Sequence, residues 1–283
     1  MFHRWTTFVW ERFNPIANLS LIIVFFLAHV AYLIDLELTP TLFSESFVFY
    51  IPVFIGTIIF FFKLRLFDEI KDYEDDLNYK GHRPLPRGLV KIEEAKKAVL
   101  VSILLEMGFF SFYGWRSLIA CTAVIIYSLA MYKEFFIGKW LRRHLTTYAV
   151  THTIVITFFS LLLFYTLSKD FNVQEVPQAL YFSISLWFLF NIFEFSRKTY
   201  ASGEEIPGLQ SYSKVWGRIG AVLLVVFMSF GMLLLGSFNS IFLSAIVWAL
   251  GIIYIVVDRK LWAKIYRYAS LLYIFLTLLL VLV

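Results

Sequence analysis

The sequence predicts an all-α, polytopic membrane protein of about nine transmembrane helices, and three observations carry that reading. Apolar residues make up 60% of the 283 positions and charged residues only 16%. The mean hydropathy is +0.76. The apolar residues also gather in runs of the length a bilayer demands: a helix covers ~30 Å of hydrocarbon with roughly 20 apolar residues, so about nine spans fit if the connections stay short. A soluble domain carries about a quarter charged residues, which excludes that class.

In chain order the spans read at about 16–34, 45–62, 96–114, 117–132, 147–167, 177–194, 216–236, 239–257 and 262–282. The first follows the aromatic and basic start MFHRWTTFVWERF, which lacks the h-region and small-residue cleavage site of a secretory signal. The sixth ends in WFLFNIFEF and so carries polar groups at its end, whereas the ninth ends in the wholly apolar LLLVLV. We read residues 1–283 as a single membrane domain. Two connections, at about 63–95 and 195–215, are longer than a bundle needs, and long loops are where function concentrates.

Lys and Arg are retained on the cytoplasmic side of a membrane. Arg4 and Arg12 precede the first span, Lys63 to Lys97 follow the second and Lys133 to Arg143 the fourth. Arg197 to Arg218 follow the sixth and Arg259 to Arg267 the eighth, which leaves Arg116 and Lys169 for the opposite loops. An odd number of spans with a cytoplasmic N terminus and cytoplasmic long loops satisfies this pattern, as in a bacterial or archaeal inner membrane. The net charge of +5 is scattered over short juxtamembrane segments, where topology and anionic lipid headgroups account for it. Membrane lipid is thus an expected partner and nucleic acid is not. Cys121 is the single cysteine, so no intrachain disulfide forms.

The first long loop reads FKLRLFDEIKDYEDDLNYKGHRPLPRGLV. Asp68, Asp72 and Asp76 recur every four residues and stay within roughly an 80° arc of one helical face. Such a stripe repels itself unless a cation neutralises it, and a row of hard oxygen donors suits Mg²⁺ holding substrate phosphates. A solvated acidic face paired with Lys63, Arg65, Lys71 and Lys80 explains the same spacing. Position favours the metal: the run begins where the second span meets water and is followed by Arg83-Pro84-Leu85-Pro86-Arg87-Gly88, placing bases for a diphosphate beside acids for a metal.

These residues resemble the first signature of the UbiA superfamily of intramembrane prenyltransferases, an Asn and two Asp at four-residue spacing followed by an Arg-Pro-Leu segment ending in a basic or small residue and Gly. Asp68 stands where the family has Asn, keeping an oxygen ligand and adding a charge. The family's second signature, a spaced acidic run followed by Gly and a Ser/Thr segment leading to a further Gly, resembles Asn191 to Lys198, then Gly203 and Ser211 to Gly217. Here Glu194 remains, Asn191 replaces an Asp, and Lys198 occupies the place of the last Asp.

The resemblance covers nearly the whole chain and implies about nine helices around a central cavity opening toward lipid. It further implies a Mg²⁺-diphosphate held over that cavity by the two loops, and transfer of an isoprenoid from its diphosphate to a small acceptor. By that resemblance Asp72 and Asp76 are metal ligands assisted by Asp68 and Glu194, and these four with Lys198 form the catalytic set. Arg65, Arg83, Arg87, Lys133 and Arg197 are the basic candidates for substrate binding. The chemistry agrees: breaking an allylic carbon–oxygen bond leaves charge on diphosphate, which metal ions and fixed cations stabilise. Tyr132 and Phe190 flank the loop ends and join the substrate-binding candidates, while most of the other aromatics belong to membrane interfaces and packing.

His152 and Glu106 lie within apolar spans, where ionisable groups are costly. For His152 a functional role and a hydrogen-bonded packing role both fit, with Thr147, Thr151 and Thr153 as partners; Glu106 is expected to face the bundle interior. Two other activities fit the same pattern: a terpene cyclase, whose acceptor is the tail's own double bond, and a transporter or noncatalytic lipid-binding protein if Lys198 has removed the metal chemistry. CDP-alcohol phosphotransferases require Asp-Gly and Ala-Arg pairs that this chain lacks.

Overall fold

The computed structural model describes residues 2–39, 47–168, 174, 176–236 and 240–282. Lys169 and the span positions 45, 46 and 239 lie outside the described residues. Among the described residues the chain is all-α. It runs α1 (Phe2–Arg12), α2 (Pro15–Asp35), α3 (Phe47–Lys71), α4 (Tyr73–Tyr79), α5 (Ile92–Ser111), α6 (Trp115–Tyr132) and α7 (Gly138–Leu141). It continues with α8 (Leu145–Thr153), α9 (Val155–Leu167), α10 (Val176–Arg197), α11 (Tyr212–Leu234), α12 (Ile241–Val256) and α13 (Lys260–Leu279).

Among the described residues, seven helical stretches are long and apolar enough to cross a membrane: α2, α3, α6, α8 with α9, α10, α11, and α13 with its last turn. The other two expected spans fall on α12, which has 16 residues, and α5, which carries Glu93, Glu94, Lys96, Lys97 and Glu106. The fold class is therefore the one expected, a polytopic helical membrane protein.

Local chemistry explains several boundaries. The Asn14 side chain accepts from the Ala17 N–H at 3.1 Å and Pro15 opens α2, both favourable at a helix start. α3 outlasts its apolar run by more than two turns, so residues 63–71 of the expected loop are helical. The ion pairs Arg65–Glu69 and Lys71–Asp68, four and three residues apart, support this extension. α5 starts earlier than its apolar run, because Glu94 accepts the Lys91 N–H at 2.9 Å and acidic side chains favour a helix N-terminus.

The chain divides into two compact units: Met1–Phe136 with Leu162–Lys169, and Ile137–Leu161 with Asp170–Val283. In the first, α3 packs along α5. A Cβ at Gly56 would lie 2.9 Å from the Phe110 ring, so glycine permits that approach. The same pair of helices buries an ion pair completely, Lys63 with Glu106, and the Lys63 ammonium sits 5.3 Å from the Phe60 ring. Phe25 against Phe61 at 5.4 Å and Phe26 against Phe54 at 5.3 Å couple α2 to α3. In the second unit α10 contacts α8, α11 and α13. α8 and α9 are separated by a break at Ile154, where the Val150 carbonyl accepts from the Trp187 indole at 2.9 Å and from the Thr153 hydroxyl at 3.3 Å. Side chains that capture a helical carbonyl are a recognised cause of such interruptions.

Candidate active site

The first motif straddles α3 and α4. Its backbone bonds continue through the one-residue interruption at Asp72, with the Asp72 N–H donating to the Asp68 carbonyl at 2.9 Å and the Asp76 N–H to the Asp72 carbonyl at 2.8 Å. The three aspartates therefore sit on consecutive turns, as their spacing predicts. Their environments differ: Asp68 and Asp72 are exposed, whereas Asp76 is 2% exposed.

Helical geometry accounts for the split. Residues eight apart differ by roughly 80° in direction, and residues seven apart by roughly 20°. Asp76 therefore shares its face with Glu69 rather than with Asp68, and Glu69 is also 2% exposed. Both buried carboxylates are closed by cations. Glu69 Oε1 accepts from Arg12 at 2.7 Å and from Arg65; Asp76 accepts from Arg83 and lies 3.7 Å from Lys80. On the exposed side, Asp68 is 3.6 Å from Lys71. Burial, and behind it the charge of Arg83, lowers the Lys80 pKa below the usual lysine range against the pull of Asp76 and Asp72.

The Arg-Pro-Leu segment folds into a compact turn. Arg87, Gly88 and Leu89 donate their N–H groups to the carbonyls of Arg83, Leu85 and Pro84 at 3.0, 3.0 and 2.9 Å, and Gly88 takes a φ of 75° that favours glycine. Leu85 and Val90 anchor the turn in the core. Arg87 is held by Glu11 through two bonds of 2.8 and 3.0 Å and by the His82 carbonyl at 2.8 Å. Tyr132 stacks on Phe67 at 4.7 Å with the Lys133 ammonium 5.2 Å from its ring. This unit thus brings Arg65, Arg83, Tyr132 and Lys133 to the end of α3 that carries the aspartates.

The second motif lies in the other unit. Glu194, in the last turn of α10, is held by Arg197 and by Lys198 at 3.0 Å, and half-buried Phe190 sits one turn earlier. Asn191 is engaged through both ends of its amide: its carbonyl oxygen accepts from Thr153 at 3.0 Å and its nitrogen donates to the Trp187 carbonyl at 2.8 Å. The loop that follows is tied through acids that sequence reasoning left out. Glu205 accepts from Ser211 at 2.7 Å and Ser213 at 2.6 Å, and Ser211 also caps α11 by accepting the Lys214 N–H at 3.0 Å. Arg267 donates to Glu204 at 2.9 Å and to the Thr199 carbonyl at 2.8 Å. Burial raises the Glu204 pKa, but Arg267 and the Ala201 N–H outweigh it and leave the carboxyl below its usual range. The hydroxyl and N–H of Ser202 likewise hold Asp258 low. α11 turns at Gly217, whose φ of 68° is in the left-handed region.

Of the residues read inside spans, His152 donates its ring Nδ1–H to the Tyr148 carbonyl at 2.7 Å and stacks on that tyrosine at 3.8 Å. Glu106 faces the interior on Lys63, as expected. Glu69 was missed although Arg65 stands four residues before it, a spacing that signals an ion pair.

Among the described residues no three His, Cys, Asp or Glu side chains form a group that could hold a metal ion. Mg²⁺, however, commonly takes one or two carboxylates plus substrate phosphates rather than an all-protein cage. The exposed Asp68 and Asp72, one turn apart on the segment that also carries Lys80 and Arg83, fit that smaller demand. No curated protein and no solved structure matches the chain. A model of the UbiA prenyltransferase family matches residues 41–279, which include both motif segments and all but the last three residues of the spans after the first, and on that match the chain belongs to the UbiA prenyltransferase family.

Proposed function

We propose that this protein is an intramembrane prenyltransferase that moves an isoprenoid from its diphosphate to a small acceptor, assisted by Mg²⁺, with its N terminus and both motif segments facing the cytoplasm. Membership of the family supports prenyltransferase activity in general. The observation that carries the finer reading is the end of α3, where exposed Asp68 and Asp72 precede, on successive helical turns, the buried Asp76 that holds Arg83 and Lys80.

Asp68 and Asp72 are the carboxylates that would hold Mg²⁺. When bound, the ion would neutralise charge building on the leaving diphosphate. Arg65, Arg83 and Lys133 supply fixed positive charge, which needs no reorganisation as the carbon–oxygen bond breaks. Asp76 and Glu194, each already held by two cations, set the positions of Arg83 and of Arg197 with Lys198. Tyr132 offers an aromatic face to developing allylic positive charge. Arg87, engaged by Glu11, contributes to the shape of the loop. The released proton of the acceptor is left to solvent or product diphosphate.

The test is diphosphate release by the purified full-length chain in lipid, with isoprenoid diphosphates of several lengths and lipid extracts as acceptor source, with mass spectrometry of the product. Prenylated product that depends on Mg²⁺ and on Asp72 is expected. A second reading, noncatalytic lipid binding, is favoured by the closure of Glu194 on Arg197 and Lys198. It predicts copurifying isoprenoid lipid and no diphosphate release.

A further inference from the structure

Helix α1 lies outside the residues that match the family, yet it is clasped to the first-motif segment at three places. Arg4 binds Glu94 at 2.9 and 3.3 Å, Glu11 binds Arg87 at 2.8 and 3.0 Å, and Arg12 binds Glu69 at 2.7 Å. The third contact bears on the chemistry. Glu69 Oε1 receives both Arg12 and Arg65, while Glu69 Oε2 and Arg65 Nε are buried with no hydrogen-bond partner.

Arginine and carboxylate prefer a two-bond fork, and the orphaned Oε2 and Nε are atoms such a fork could use. Arg12 competes for that arrangement by taking Oε1 through both its Nε and its Nη2, at 2.7 Å each. The charge balance points the same way. One buried carboxylate faces two guanidiniums, so the trio keeps one net positive charge; without Arg12 it would be neutral. Asp68 and Arg83 lie within electrostatic range of Arg65, so the surplus falls at the end of α3 where the exposed aspartates sit.

We propose that Arg12 is a positioning residue for the diphosphate: by neutralising buried Glu69 it leaves the charge and remaining donors of Arg65 to the substrate. This rests on the reading that the end of α3 binds diphosphate. α1 is then part of the substrate-binding apparatus, contributed from outside the family core, and the other two clasps hold it in register.

The experiment titrates farnesyl diphosphate with Mg²⁺, and inorganic pyrophosphate separately, against the detergent-solubilised full chain, recording thermal midpoint alongside affinity. Arg12→Gln should weaken binding about tenfold, the scale of a lost charged contact, with the midpoint little changed. Arg12→Gln/Glu69→Gln should recover wild-type affinity, since removing both charges returns Arg65 to the substrate, and Arg12→Lys should retain most of it. A purely structural role predicts the reverse for the double variant. If Asp72→Ala loses binding while Arg12→Gln does not, or while the double variant fails to recover, the role of Arg12 is overturned and the reading of the site stands. If Asp72→Ala binds normally, that reading fails first and the role of Arg12 with it.

Discussion

At the end of α3, Asp68 and Asp72 face outward while Glu69 and Asp76, on the neighbouring face, are closed by arginines. In the second unit Glu194, Glu204, Glu205 and Asp258 are all engaged, by Arg197 and Lys198, by Arg267, by two serines, and by Ser202. The first segment keeps two exposed carboxylates, whereas the second, whose motif holds the single acid Glu194, keeps its carboxylates engaged. A carboxylate buried against a neighbouring cation or hydroxyl organises its loop, whereas Asp68, 3.6 Å from Lys71, and Asp72 are open to solvent and, on the reading proposed above, to a metal-bound phosphate. Spacing proposes a role, and the neighbours decide it.

The sharpest way to break this contrast lies inside the first unit, where Glu106 is wholly buried on Lys63 and Asp72 is exposed. Glu106→Ala strands a buried ammonium and should cost about 3–5 kcal/mol of stability, read by thermal or denaturant unfolding in detergent. Asp72→Ala should leave stability alone and instead weaken Mg²⁺-dependent farnesyl diphosphate binding at least about tenfold, ~1.5–3 kcal/mol. Asp76→Ala should lose binding to a similar degree and stability as well, because Arg83 is released. Equal behaviour of the Asp72 and Asp76 variants in both measurements would erase the distinction between exposed and closed acids.

In the second unit smaller effects are expected. Lys198→Ala should weaken diphosphate binding about threefold, ~0.7 kcal/mol, since Arg197 keeps its place on Glu194; a tenfold loss would place Lys198 on the phosphate itself. The smallest change is a titration. Asp258 is held low by Ser202, so its interaction stabilises the loop at neutral pH and is lost as pH falls through the folded-state pKa. Ser202→Ala should raise that midpoint toward an ordinary aspartate and flatten the acid limb of the stability profile, leaving neutral-pH binding unchanged.

Most of the spans were legible because apolarity is a local property of each segment, and the succession of Asp68, Asp72 and Asp76 on consecutive helical turns was legible because their spacing is periodic. The extension of α3 to Lys71 was harder, since ion pairs rather than apolar residues sustain it. The partners of the acids were hardest. Arg12 meets Glu69 across 57 residues and Glu11 meets Arg87 across 76, and only the folded chain brings them together. Glu205 could not be distinguished from any loop acid until Ser211 and Ser213 were seen to point at it. Lys198 was read as a departure from the family pattern, and its place beside Glu194 shows where the charge sits in this fold.

The buried pair of Lys63 and Glu106 also constrains how the protein is made. Glu106 stands within the apolar part of α5, where a lone acid at the centre of a bilayer costs about 2.5–3.5 kcal/mol, and Lys63 stands where the apolar run of α3 ends. α3 emerges from the ribosome well before α5, so Lys63 must wait in the insertion machinery, at the membrane surface or beside water until Glu106 arrives. We expect the two helices to be released into lipid as a hairpin, and a Glu106→Ala chain to show α3 retained or misoriented in a glycosylation-mapping assay. Biosynthetic order, and not only the stability of the finished fold, is then written into one ion pair.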